Sequence, residues 1–453
     1  MMSNLKRSLS LSGWLCAIAL SSHASAPPDQ VARLERDLTP MGAERVGNEA
    51  GTIPAWDGGI QTPPATFVPG ENYVDPYASD PVSLTITHEN LNEFKDKLSE
   101  GQKALFQTYP SYTMKVYPSH RSASYPPAVY KALIRNAAEA ELQERGTGVK
   151  GARMTSPFPI PKSGTEVIWN HILRYRGAET AFRSSFATVQ PDGSFTIVTS
   201  DYNYLFVYAN PDVDLSQIEN KIFYLKTDVV APPKLAGTMN LVHETLDQVR
   251  SPRQAWRYEA GQRRLRRVPN LAYDSEAPNS NGLRSVDQVD MYNGAPDQYD
   301  WELLGKKEIY IPYNAYKLMQ KGLKTAEIIR PKHINQDLAR YELHRVWVVE
   351  GKLRVGLNHI YSKRRMYFDE DSWQIVLSEE YDTAGKLWRA GEAHVVNYYE
   401  VPVPWTTMEI NYDLKSGRYF ADGLDNDDVQ RNFFPKFSEK DFSTSAVRRE
   451  AKR

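Results

Sequence analysis

Two rhythms divide the chain. Between residues 89 and 146 apolar side chains recur every three to four positions, and beyond about residue 183 they alternate with polar ones. In the first part, Leu91, Phe94, Leu98 and Leu105 predict a helix from Glu89 to Thr108, with Thr87 as its cap. Pro126-Pro127 suit the first turn of a second helix, whose Val129, Leu133, Ala137 and Leu142 share a face and which Gly146 ends. A shorter helix, Asp29 to Leu38, carries Val31, Leu34 and Leu38 on one side. Between them, Gly47 to Pro81 holds Pro54, Pro63, Pro64, Pro69, Pro76 and Pro81. Proline locks φ and removes a donor, so this stretch is predicted to be an irregular arm over a neighbouring body.

The two-residue rhythm predicts strands at 183–190, 194–208, 221–230, 235–247, 254–259 and 263–268. A meander follows at 345–350, 353–361, 363–369, 373–381 and 387–399, with Gly351-Lys352, Asp369-Glu370-Asp371 and Thr383-Ala384-Gly385 as turns. One helix, Tyr313 to Gln320, interrupts the series. Antiparallel strands joined by tight turns imply a sandwich, a barrel or a strongly curved sheet. Alternation puts Phe206 with Tyr208, Phe223 with Leu225 and Trp347 with Val349, and turns Tyr367 away from Phe368. With Trp256, Tyr258, Trp301 and Trp373, these are the candidates for the wall of an apolar cavity inside such a sheet. A packed core needs the same inward-facing side chains, so both remain open at this level.

The N-terminus reads as an export signal. Lys6 and Arg7 precede a mostly apolar run from Leu9 to Leu20, and Ala24-Ser25-Ala26 supplies small residues for cleavage after Ala26. That run is too short for a bilayer core, which needs roughly 20 apolar residues. The bulky Trp14 ahead of Cys16 argues against a lipidated cysteine, and Cys16 is the chain's only one, so the mature protein would carry no thiol. The expected product is a soluble periplasmic protein without a transmembrane segment. Its predicted parts are the signal at 1–26, an arm and helical region at 27–162, a curved β domain at 163–430 and a polar tail at 431–453.

The formal net charge is -1, which offers no field for nucleic acid or an anionic bilayer as a whole. The 27 tyrosines and 9 tryptophans suit both strands and apolar pockets. Arg263, Arg264, Arg266 and Arg267 form a basic run that reads as the solvated face of a hairpin or as a docking patch for an anionic partner. Gly146 to Gly151 matches G-x-G-x-x-G, yet a helix precedes it and a Pro-rich linker (156–161) follows, so it is a helix stop and turn. Asp369-Glu370-Asp371 reads as a solvated hairpin tip, and Asp422 to Asp428 lacks calcium-loop spacing. No H-E-x-x-H or G-x-S-x-G occurs, so neither metal nor cofactor is expected.

Four separated stretches carry a family resemblance. They are Val46 to Gly59 (VGNEAGTIPAWDGG), Tyr299 to Lys307 (YDWELLGKK), Arg345 to Glu350 (RVWVVE), and His359 to Arg365 with Asp369 to Trp373 and Tyr381-Asp382. In this order they resemble the bacterial domain of unknown function 1329 family, over nearly the whole mature chain. The resemblance implies an α+β fold of the LolA/LolB kind: a strongly curved antiparallel sheet forming an unclosed β-barrel, with helices at the mouth. It also implies association with inner-membrane exporters or outer-membrane proteins that move hydrophobic molecules. The function expected is a non-enzymatic periplasmic carrier or accessory protein for a lipid, an acyl chain or a lipoprotein. The alternative is a periplasmic hydrolase with a site assembled from distant residues. An outer-membrane β-barrel fits poorly, because the chain ends Arg448-Arg449-Glu450-Ala451-Lys452-Arg453 after an irregular stretch.

Overall fold

A computed structural model describes residues 26–268, 273–428 and 430–452. The export signal at 1–26 therefore lies, up to Ala26, outside the described residues. Among the described residues no helix is long and apolar enough to cross a membrane.

The principal strands are β1 (Glu179–Val189), β2 (Phe195–Leu205), β3 (Lys221–Ala231), β4 (Met239–Thr245), β5 (Gln254–Glu259), β6 (Arg264–Arg267), β7 (Tyr299–Pro312), β8 (Tyr341–Leu353), β9 (Lys363–Asp369), β10 (Ile375–Tyr381), β11 (Leu387–Tyr398), β12 (Val403–Asp413) and β13 (Arg418–Leu424). With two short strands, Leu84–Ile86 and Met114–Val116, they form one sheet of 15. From the short strands the order runs β8, β9, β10, β11, β12, β13, β1, β2, β3, β4, β5, β6, and β7 pairs with β8. Pairing is antiparallel apart from one parallel bridge between Val116 and Tyr341. The sheet does not close, since β6 pairs with β5 and β7 with β8 on one side each. Register shifts at Leu303/Gly305, Tyr367/Phe368, His394/Val395 and Asp422/Leu424 bend it.

Both faces are covered. On the inner face, α3 (Gly164–Ile172) plugs the β7–β8 end and buries Val167, Ile168, Trp169 and Ile172. A Cβ on Gly164 would meet the Trp301 backbone at 2.7 Å, so glycine permits this approach. On the outer face, α1 (Glu100–Thr108) packs on β10 and β11, while the arm lays Phe67 and Tyr73 against Tyr399 in the same apolar cluster as α3. The C-terminal α4 (Thr444–Glu450) covers β3 and β4, where Lys226 Nζ meets Glu450 at 2.7 Å and Phe442 and Val447 are buried. The stretch read as a polar tail is thus anchored by two apolar side chains.

Several elements differ from their sequence pattern. The helix expected over Glu89–Thr108 is interrupted, because Leu98 is extended and Ser99 starts α1 with a capping box to Gln102. The second helix, α2 (Pro127–Glu139), stops before Gly146. Ala140 turns extended and Glu141–Leu142 pairs with Val149–Lys150. Tyr313 to Gln320 gives only one 3-10 turn, Tyr316–Met319, after Asn314 adopts a positive φ. Gly351-Lys352 is not a turn, since β8 runs through it. A Cβ on Gly351 would lie 2.4 Å from the Trp301 ring, so that glycine makes room for an aromatic across the strand pair. Residues 354–362 then form a loop instead of a strand. β7, β12 and β13 lack a predicted counterpart.

The Asp369-Glu370-Asp371 turn is not solvated. All three residues are buried, because the arm folds over them: Trp373 Nε1 donates to Met41 O at 3.0 Å, and Arg121 grips Asp371 at 2.7 and 2.8 Å.

Candidate functional site

The inner face has two halves. At the β7–β8 end it is filled by α3 and its neighbours. At the β1–β4 end, strand alternation lines it with Phe182 and Phe186 of β1, Tyr202 and Tyr204 of β2, and Phe223 and Leu225 of β3, while β12 contributes Trp405. These enclose, with a covering strap at 273–298, a cavity of about 410 Å³. Small-molecule sites typically measure about 300–1,000 Å³. Phe182 and Tyr202 are cross-strand partners, so their rings stack at 5.1 Å with 7° between planes. Tyr204 stacks on Phe206 at 5.2 Å, and Trp405 stands edge-on to Phe182, Tyr204 and Phe206. Such offset and edge contacts hold the wall in shape without filling the space in front of it.

The strap crosses the inner face on side chains three residues apart. Arg284 Nη1 donates to Asp422 at 2.7 Å. Asp287 accepts from Arg364 at 2.6 Å and meets His359 at 3.1 Å. Asp290 accepts from Arg174 at 2.5 Å and from Arg176. Asn293 donates to Glu244, which also binds Arg253 at 2.6 Å. Burial works against the Asp290 carboxylate, yet Arg174 and Arg176 outweigh it and hold its pKa at about 2. Burial, with Asp290 and Asp422 nearby, pushes Glu409 up to about 8, so this lining carboxyl is protonated at neutral pH. Arg431 also lines the cavity. Its guanidinium lies 4.1 Å from the Phe182 ring, 4.3 Å from Trp405 and 5.0 Å from Tyr398.

The candidates from sequence are divided among several places. Phe223 and Leu225 line the cavity, and Trp256 touches its rim while its ring packs on His243. Phe206 lies behind the wall under Arg176, and Tyr208 donates its hydroxyl to Thr155 O. Tyr258 faces the other way, into the cluster beneath Phe442. Trp301 packs on Tyr292 and Tyr299, Trp347 stacks on Trp373 at 6.1 Å, and Val349 is buried beside them in the filled half. Tyr367 is on the outer face, bonded to Glu379. Arg263, Arg264, Arg266 and Arg267 are exposed on or beside the edge strand β6. The strap residues, Trp405 and Arg431 lacked a periodic signal, whereas the alternation Tyr202, Tyr204, Phe206 would have exposed the aromatic wall.

Other polar clusters are more fully committed to structure. His344, Asp369 and Asp371 place ligand atoms within 4.8 Å of one another, but Asp371 is bound by Arg121 and His344 by Glu342. Ser285, Asp287 and His359 meet with the carboxylate between hydroxyl and imidazole, so the imidazole cannot take the hydroxyl proton. Ser111 contacts His333 Nε2 at 2.8 Å, outside the cavity lining.

A family model described as "Protein of unknown function (DUF1329)" matches residues 85–448. The uncharacterized protein PA3922 of Pseudomonas aeruginosa is 48% identical over 441 residues, 97% of each chain. Among solved structures, a DUF1329 family protein from Desulfovibrio piger has 12% identity and a TM-score of 0.42, covering 60% of this chain and 92% of that one. A LolA superfamily protein from Nitrosomonas europaea has 13% identity and a TM-score of 0.37, covering 63% and 100%.

Proposed function

We propose a carrier function for this chain, which belongs to the DUF1329 family of proteins of unknown function. It holds a lipid, the acyl part of a lipoprotein or another hydrophobic molecule during passage through the periplasm between inner and outer membranes, and it does so without catalysing a reaction. The observation that carries this reading is the cavity of about 410 Å³ between the aromatic wall of β1–β3 and the strap. A solid interior would store only stability there. An open one shields apolar ligand atoms from water, worth about 0.8 kcal/mol per buried CH₂. About ten methylenes would then contribute about 8 kcal/mol before the cost of association.

The export signal read at the N-terminus supplies the compartment, and the exposed Arg263, Arg264, Arg266 and Arg267 supply a docking edge for an anionic headgroup or a membrane-protein partner. Ligand release requires loosening of the strap. Extraction of the purified protein with organic solvent and mass spectrometry of the extract tests the reading. Co-purifying acyl-containing molecules at near-stoichiometric amounts are expected. A protein that yields none, and takes up none from vesicles, is not a carrier.

A further inference from the structure

The cavity is lined by five guanidiniums: Arg176, Arg253, Arg257, Arg284 and Arg431. Four have a carboxylate partner. Arg176 has Asp290, Arg253 has Glu244, Arg257 has Glu259 and Arg284 has Asp422. Arg431 has none among the described residues. Its Nε and Nη1 are buried and make no hydrogen bond, while three aromatic rings cover its faces. Asp425 acts on it through space but forms no ion pair with it. Its position is set by backbone: Ala181 and Asn432 exchange two hydrogen bonds of 2.8 Å, which tie the Arg431 segment to the start of β1 beside Phe182.

Aromatic faces suit the flat sides of a guanidinium and leave its in-plane N–H donors unused. Those donors fit a carboxylate or a phosphate, and Arg431 is partly buried, so an arriving anion would satisfy donors that are shielded from water. The unpartnered Arg431 guanidinium, set in the wall of a cavity whose other four guanidiniums are each paired with a carboxylate, leads us to infer that the ligand is an amphiphile with one anionic head, which Arg431 binds while the apolar tail lies along Tyr202, Phe223 and Leu225. This inference rests on the carrier reading and narrows its ligand class.

Titration calorimetry with decanoate, decyl phosphate and decanol tests it, using the purified protein and its R431Q and R431K variants. In the natural protein the two anions are expected to bind about 10- to 100-fold more tightly than decanol, the range of a charge-assisted hydrogen-bonding site. R431Q should bring all three together with decanol unchanged, and R431K should keep part of the preference. Decanoate alone gaining affinity would identify a carboxylate head, and decyl phosphate alone a phosphate head. Equal binding of all three to the natural protein, or a preference that survives R431Q, overturns the anionic-head inference and leaves the carrier reading standing. R431Q weakening decanol as much as decanoate would make the residue structural and overturn it too. Binding of none of the three removes the carrier reading itself.

Discussion

Replacing Asp290 with asparagine tests whether charge pairing holds the strap over the cavity. The side chains of Arg174 and Arg176 are 0% and 6% exposed, and both converge on this carboxylate, itself 15% exposed. A carboxyl held at about 2 instead of 3.8 carries about 2–3 kcal/mol of folding stability at neutral pH. Asparagine keeps the shape but leaves two buried guanidiniums without an anion, which typically costs about 3–5 kcal/mol. The sign with pH follows from the lowered value. The contribution is present above the unfolded carboxyl's 3.8 and is lost as pH falls through about 2. Guanidinium chloride unfolding, followed by tryptophan fluorescence at pH 7 and pH 3, measures the difference. Asp290→Asn should lower stability by about 3 kcal/mol or more at pH 7 and by less at pH 3. Hydrogen exchange should quicken over residues 284–293. A loss below about 1 kcal/mol with unchanged exchange would refute the idea that these ion pairs clamp the strap.

Three further outcomes follow from the same geometry. Glu409 binds a proton in the native state that the unfolded chain releases near 4.5, so it stabilises below that value and the benefit is lost as pH rises through about 8. Glu409→Gln should match the natural protein within about 1 kcal/mol near pH 4 and exceed it by a margin that grows between about pH 5 and pH 8 in parallel denaturation curves; equal slopes with pH would contradict this. Leu225→Trp grows into the open volume, so bound lipid should fall at least about tenfold by mass spectrometry with stability changed by less than about 1 kcal/mol; unchanged lipid content would move the ligand elsewhere. Alanine at Arg263, Arg264, Arg266 and Arg267 together should leave stability within about 0.5 kcal/mol and slow ligand transfer to phosphatidylglycerol vesicles at low salt. Transfer at the original rate would remove the docking role.

Much of the sheet was legible because its strands keep one face apolar. β5 matches its predicted span, and β9 does as well. β7 escaped because Glu302, Lys306, Lys307 and Glu308 interrupt its pattern and a bulge at Leu303/Gly305 shifts its register. The turn expected at Gly351 shows a second kind of limit. Glycine marks either a bend or a close approach, and only the Trp301 ring decides which. The buried Asp369-Glu370-Asp371 turn shows a third, since a segment more than 300 residues earlier in the chain, contributing Met41 O to Trp373, covers what local composition presents as a surface loop.

The cavity belongs to this third kind, and it explains why alternation could not separate a hollow sheet from a solid one. The same inner face is filled where α3 brings Trp169 onto it and open where only the strap crosses it. Phe223 and Leu225 alternate no differently from Trp347 and Val349, yet the first pair lines the cavity and the second does not. What distinguishes them is the covering element. A helix offers a continuous apolar stripe that fills the space against a sheet. The strap packs Leu283, Met291 and Tyr292 into the neighbouring apolar clusters, and between them reaches across through Arg284, Asp287, Asp290 and Asn293, whose bonds span the gap without filling it. Ion pairs fix a distance, whereas apolar packing tends to eliminate one. A strap tied by charges is therefore the feature that keeps this half of the sheet hollow, and the pairing partners that would have revealed it are spread from Arg174 to Asp422.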